Sequence, residues 1–152
     1  MGGLHPGHGA LIERAAAHGP VLVSVFVNPL QFGPQEDLQR YPRNLDADSA
    51  LADACGAAAV WAPDSAVIYP EGQDSAARLR APADLQQHLC GAVRPGHFDG
   101  VVTVVARLLD LVQPRQMWLG EKDWQQLVIL RRLVADLPSP VAVRAVATVR
   151  EV

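Results

Sequence analysis

The opening stretch Met1-Gly2-Gly3-Leu4-His5-Pro6-Gly7-His8 decides how the rest of the chain is read. Two imidazoles flank a Pro-Gly pair, and Leu11, Ile12 and Ala15 follow at helical spacing. The stretch therefore reads as the approach to a helix, with Pro6 in its first turn and Gly19 as its stop. A helix start carries unpaired N–H groups and the positive end of the macrodipole, which together favour a bound anion. Gly7 and Gly9, lacking a Cβ, would let a phosphate approach the backbone closely. His5 and His8 would share one face as donors to it, with His8 placed to meet charge that develops in a transition state. The alternatives are a plain surface turn and a metal pair, the latter without a third or fourth ligand at a recognisable spacing.

The run that follows sets the fold class. Val21-Leu-Val-Ser-Val-Phe-Val27 is nearly continuous in β-branched residues, the pattern of a parallel strand buried on both faces. The prolines and glycine of Asn28-Pro-Leu-Gln-Phe-Gly-Pro34 then place Asn28 and Gln31 at the strand's carboxyl end, where ligands of such sheets bind. A helix from Leu45 to near Gly56 and a short strand at 58–61 complete a second unit. Residues 64–81 are ambiguous, with a short strand expected at 76–80. A helix is expected over 82–90, a loop over 94–100 and a sheet-packed helix over 101–112. A strand at 116–119, a helix opening at Gly120 and a last strand at 141–149 complete the chain. This alternation predicts an α/β fold: a Rossmann-like parallel sheet with helices on both faces.

Composition narrows the function classes. At 152 residues and 49% hydrophobic, the chain suits one domain with a substantial core. A net charge of −3 and a pI near 5.9 argue against nucleic-acid or anionic-membrane partners and for small molecules. Cys55 and Cys90 show no Cys-x-x-Cys spacing, so two reduced, packed thiols are expected, with a disulfide left open. No apolar run is long enough for a membrane span and no signal sequence is visible, which predicts a cytoplasmic protein.

In Gly120-Glu121-Lys122-Asp123 a second glycine turn leads from a strand to a helix. Glu121 and Asp123 suit a helix N-terminus, but Lys122 is opposed by the dipole unless an anion binds nearby. The plain alternative is a lysine extending into water.

These motifs, taken in order, carry a resemblance. Met1-Gly-Gly-Leu-His-Pro-Gly-His8, Phe26-Val-Asn-Pro-Leu-Gln-Phe-Gly33, Glu36-Asp37 with Tyr41-Pro-Arg43, Arg94-Pro-Gly-His-Phe-Asp-Gly-Val101, Gly120-Glu-Lys-Asp-Trp-Gln-Gln126 and Thr148-Val-Arg-Glu151 closely resemble the pantothenate synthetases, or pantoate:beta-alanine ligases. These are nucleotidyltransferases with a His-x-Gly-His signature. The resemblance implies that pantoate is activated by ATP to pantoyl adenylate with release of pyrophosphate. Beta-alanine then displaces AMP, and Mg2+ rides on the phosphates.

It further implies catalytic roles for His8, the usual proton donor, and for His5 and Lys122. ATP would be held by Met1, Gly2, Gly3, Leu4, His5, Gly7, His8, Gly120, Glu121, Lys122, Asp123 and Val149. Pantoate would be bound by Gln31 and Gln126, and beta-alanine by Gln31. A neutral amide can read a hydroxyl beside a carboxylate because it both donates and accepts. Val101, Val104 and Val105 would wall the gem-dimethyl group, or simply be core. Asp48 and Tyr41 would help position magnesium or the loop, while Arg94 and His97 receive no role. Full-length members are expected to be homodimers.

The family pattern has a strand just before Met-Gly-x-Leu-His and continues past Val-Arg-Glu into a Ser-Ser-Arg-Asn loop and a second domain. The expectation is a truncated piece, residues 1–152 forming an incomplete Rossmann-like domain with a gap between 21–27 and 116–119. A different nucleotidyltransferase, or a fragment that only binds nucleotide or a partner chain, are the alternative readings.

Overall fold

The computed structural model describes residues 2–33, 41, 43–138 and 140–150. Met1, assigned above to the nucleotide, lies outside the described residues, as do the motif residues Glu36, Asp37, Pro42 and Glu151.

Helix α1 (Pro6–Ala16) opens where the sequence puts it and ends three residues before Gly19. It is followed by β1 (Leu22–Ser24), a 3-10 turn at Pro29–Gln31, α2 (Leu45–Ala54) and β2 (Ala59–Trp61). Three short helices come next, α3 (Ser65–Ile68), α4 (Ala83–Gln86) and α5 (Leu89–Val93), then the long α6 (His97–Val112). The chain continues through β3 (Gln116–Gly120), a 3-10 turn at Glu121–Asp123, α7 (Trp124–Asp136) and β4 (Ala142–Val146). No helix among the described residues is long and apolar enough to cross a membrane.

The described strands pair in parallel, as an α/β fold requires, but in two pieces. Leu22 lies opposite Ala59 and Ser24 opposite Trp61 in one, Gln116 opposite Ala142 and Gly120 opposite Val146 in the other. Between β1 and β3, where the sequence reading put a gap, lies a cleft of about 820 Å³ lined by both strands. The expectation of a first strand buried on both faces therefore fails. Val23 is buried, but Leu22 borders the cleft and is 43% exposed, because β1 pairs only with β2.

Side chains alternate between faces with the strand period of two. Val21, Val23 and Val25 pack with Ile12 of α1 and Ala52 of α2, whereas Phe26 and Trp61 meet Ile68, Tyr69 and Val104. In the other piece Met117 and Leu119 join Phe98, Val101, Val102, Ile129 and Leu130. Trp118, pointing the opposite way, sets its ring 4.9 Å from that of His18 beyond α1, tilted by 50°. Helices thus cover both faces.

Several local expectations yield to tertiary contacts. Residues 97–100, read as loop, are the first turn of α6, entered through Gly96 at φ 79°. Gly100 belongs in that helix because a Cβ there would collide with the Leu30 carbonyl of the neighbouring 3-10 turn. The single helix expected over 82–90 is broken in two at Leu89 (φ 51°), and Gln125 bridges the break, donating to the Leu85 and His88 carbonyls at 2.8 and 2.7 Å. No strand forms at 76–80. The Leu79 N–H goes to Thr103 Oγ1 and the Ala81 N–H to Asp99 Oδ1, so side chains of α6 replace a ladder. The last strand stops at Val146, and Cys90 is exposed rather than packed; both cysteines are free.

Candidate active site

The histidine loop is built from its own backbone upward. The His5 imidazole accepts the Gly7 N–H through Nδ1 at 3.2 Å, and the His8 Nδ1 accepts the His5 N–H at 3.3 Å. This is a reciprocal capping box with histidines in place of hydroxyl and carboxylate. With Nδ1 accepting, the ring proton in this arrangement sits on Nε2. The rings lie 4.0 Å apart. His8 is held below the ordinary imidazole range first by burial, then by His5, the N-terminus and Lys122, with Asp123 opposing them. A low proton affinity suits a ring that donates while neutral.

The capping box corrects the expectation of free N–H groups at this helix start. The His5 and Gly7 amides are occupied by imidazoles, and those of His8 and Gly9 donate to the His5 carbonyl at 2.8 and 3.1 Å. Gly9 does not clear space for a phosphate either: it is buried, and a Cβ on it would stand 3.0 Å from Cys55 Sγ and 3.7 Å from Leu51 of α2. Its small size lets α1 and α2 close together.

Asp48 of α2 is 3% exposed, and its two oxygens accept the Gly3 N–H at 3.0 Å and the Leu4 N–H at 2.6 Å. Of the two roles left open for it, holding the loop is the one its bonds describe, and both oxygens are engaged there. No group of three or more His, Cys, Asp and Glu side chains that could hold a metal ion occurs among the described residues.

Across the cleft, Gly120 to Asp123 form an open turn. Lys122 is exposed and reaches Asp123 Oδ1 at 3.2 Å, side chains 68% and 61% exposed. Asp123 lines the same cleft as His8, so the end of this turn faces the histidine loop, while Gly120, Glu121 and Lys122 are not part of that lining. Asp123 caps α7 by position but makes no side-chain cap bond, and Glu121 is exposed.

The cleft gathers His8, Gly2, Asp123, Gln31 and Gln126 around an apolar wall that includes Val101, Val104 and Val105. Val101 and Val104 are also part of the core. Tyr41 lines the cleft and sets its ring edge-on to Phe32 at 5.8 Å. Val149 is exposed beyond β4 and does not line the cleft.

Three residues that received no role from the sequence anchor this site. Asn28 is 2% exposed and makes four side-chain hydrogen bonds, one of them with Gln31. Tyr69, in the stretch read as ambiguous, supplies another. His97 contacts the Gln31 carbonyl through Nδ1 at 2.8 Å and Arg94 through Nε2 at 3.2 Å, so this pair braces the turn that carries Gln31. The signals in the sequence were an asparagine followed by proline at a strand end and the Arg94–Val101 motif, with none for Tyr69.

A family model described as pantoate-beta-alanine ligase matches residues 1–152. The bifunctional pantoate ligase/cytidylate kinase of Parasynechococcus marenigrum (strain WH8102) is 71% identical over 151 residues, 99% of this chain and 30% of that protein. The crystal structure of pantothenate synthetase from Thermus thermophilus matches with a TM-score of 0.93 at 55% identity, covering 99% of this chain and 54% of that one. The pantoate-beta-alanine ligase of Francisella tularensis, complexed with beta-gamma ATP and beta-alanine, matches with a TM-score of 0.93 at 37% identity, covering 99% and 57%. The chain thus spans about a third of the bifunctional relative and about half of the solved ones.

Proposed function

The chain belongs to the pantoate-beta-alanine ligase family, and on that footing we propose that its cleft activates pantoate with ATP and passes the pantoyl group to beta-alanine, giving pantothenate, AMP and pyrophosphate. The observation that carries the reading is the convergence of His8, Gln31, Gln126 and Asp123 on one apolar-walled cleft. The neutral His8 ring directs its Nε2–H at the triphosphate, donating to oxygens whose charge grows as the α-phosphorus is attacked. His5 is the second imidazole donor, and Lys122, exposed beside Asp123, supplies positive charge. Glycines 2, 3, 7 and 120, with Leu4 and Glu121, shape the two turns around the nucleotide, and Val149 flanks its base.

Gln31 and Gln126 bind pantoate, and Gln31 also meets the incoming beta-alanine. The valines take the apolar part of the substrate. Magnesium travels with the phosphates: Asp48 has given both oxygens to the loop, and the ion's part is to neutralise the triphosphate.

The test is exchange of labelled pyrophosphate into ATP. Exchange that requires pantoate, followed by AMP release only when beta-alanine is added, is the expected result. Exchange driven equally by other acceptors, or none with pantoate, would replace this reading with a different nucleotidyltransferase.

A further inference from the structure

We propose that Tyr69 is a positioning residue for substrate recognition: its hydroxyl fixes the Asn28 amide, which in turn makes Gln31 present its NH2 group to the cleft. The inference rests on the reading of Gln31 as a pantoate contact and adds what orients it.

The chain of bonds has one consistent assignment. The Leu30 N–H can only donate and the Gly100 carbonyl can only accept, so the atom of Asn28 facing Leu30 at 3.3 Å is Oδ1 and the atom facing Gly100 at 3.0 Å is Nδ2. Tyr69, 2.7 Å from Oδ1, must then be the donor. Asn28 Nδ2 has one hydrogen left, and it points to Gln31 Oε1 at 3.3 Å. With its oxygen occupied, Gln31 offers Nε2 to a ligand, a donor suited to a carboxylate or alcohol oxygen.

Tyr69 is itself firmly set. It is buried, its N–H donates to the Ser65 carbonyl at 2.7 Å, and the neighbouring Ile68 carbonyl accepts from Arg107 of α6 at 2.9 Å. Burial pushes its hydroxyl up to about 12, so it keeps its donating proton across the working pH range. Without that donor, Oδ1 keeps only the long bond to Leu30. The Asn28 amide, still biased by Leu30 and Gly100, is then held less tightly, and with it the Nδ2 bond that orients Gln31.

The experiment is pyrophosphate-exchange kinetics on the full-length protein carrying Tyr69→Phe, Gln31→Ala and both together. Tyr69→Phe is expected to raise the pantoate KM about tenfold, the weight of one well-placed hydrogen bond, with the ATP KM and kcat within about twofold of the parent. In the Gln31→Ala background the same change should add nothing, because Tyr69 acts through Gln31. KM does not depend on how much of the protein is folded, so partial misfolding lowers kcat alone and cannot mimic this result.

Additive effects, or an unchanged pantoate KM in Tyr69→Phe beside a raised one in Gln31→Ala, would overturn the relay and leave the Gln31 assignment standing. An unchanged pantoate KM in Gln31→Ala would overturn the assignment itself.

Discussion

The two turns that face each other across the cleft are built on opposite plans. At the start of α1 the backbone N–H groups from Gly3 to Gly9 have acceptors before any ligand arrives: Gly3 and Leu4 bond Asp48, Gly7 bonds His5, His5 bonds His8, and His8 and Gly9 bond the His5 carbonyl. At Gly120–Asp123 the only side-chain bond among the described residues is the exposed one between Lys122 and Asp123. A hypothetical Cβ on Gly120 would meet nothing within 4 Å. The first turn is fixed in advance and can meet a transition state without reorganising, which is where electrostatic catalysis gains most. The second holds an exposed cation whose ion pair contributes little by itself.

The largest test of this contrast is Asp48→Ala. It leaves two amides without acceptors, each costing about 1 to 3 kcal/mol when buried, and a loss of that size lowers Tm by on the order of 10 °C. Exchange activity should fall with it. A melting curve that does not move would show that the loop is not held from α2.

Next comes His8→Ala, which removes the preorganised donor. Adenylate formation should drop by about 10²- to 10³-fold with ATP binding changed far less. Rapid-quench measurement of pyrophosphate release reads the step directly, and unchanged turnover in a folded variant rules the role out.

Lys122→Ala sharpens the other side. Its side chain is mostly in water, so Tm should stay within about 1 °C, while the ATP KM rises roughly tenfold. A marked loss of stability would mean that this turn is as built-in as the first.

The smallest effect is on pH. The His8 imidazole binds its proton less readily folded than at the ordinary value of 6.5. Below about pH 6.5 the unfolded chain therefore takes up a proton that the folded one refuses, and stability declines as pH falls through the folded value. It is fully present above that window. Melting at pH 7.5 and 5.5 should show a larger acid loss for the parent than for His8→Ala, and equal losses would remove His8 as the cause.

The two plans also divide what could be read from the chain. The order His-Pro-Gly-His before Leu11, Ile12 and Ala15 was enough to place α1, because capping and helical periodicity act within one turn. The alternation of apolar runs likewise placed β1 to β4 and their parallel sense, although not their short extents or the cleft that separates β1 from β3.

Residue types at both turns pointed to an anion, and the motif order pointed to the family. How those residues are held lay in contacts remote along the chain. Asp48 reaches back 44 and 45 residues, Tyr69 meets Asn28 41 residues away, and Asn28 meets Gly100 72 residues away. A carboxylate, a phenol or an amide in a sequence carries no mark of the distant donor it will meet. Which N–H groups at α1 remain free, which way the Gln31 amide turns and why Gly100 can sit inside a helix were settled only when burial made each polar group find a partner.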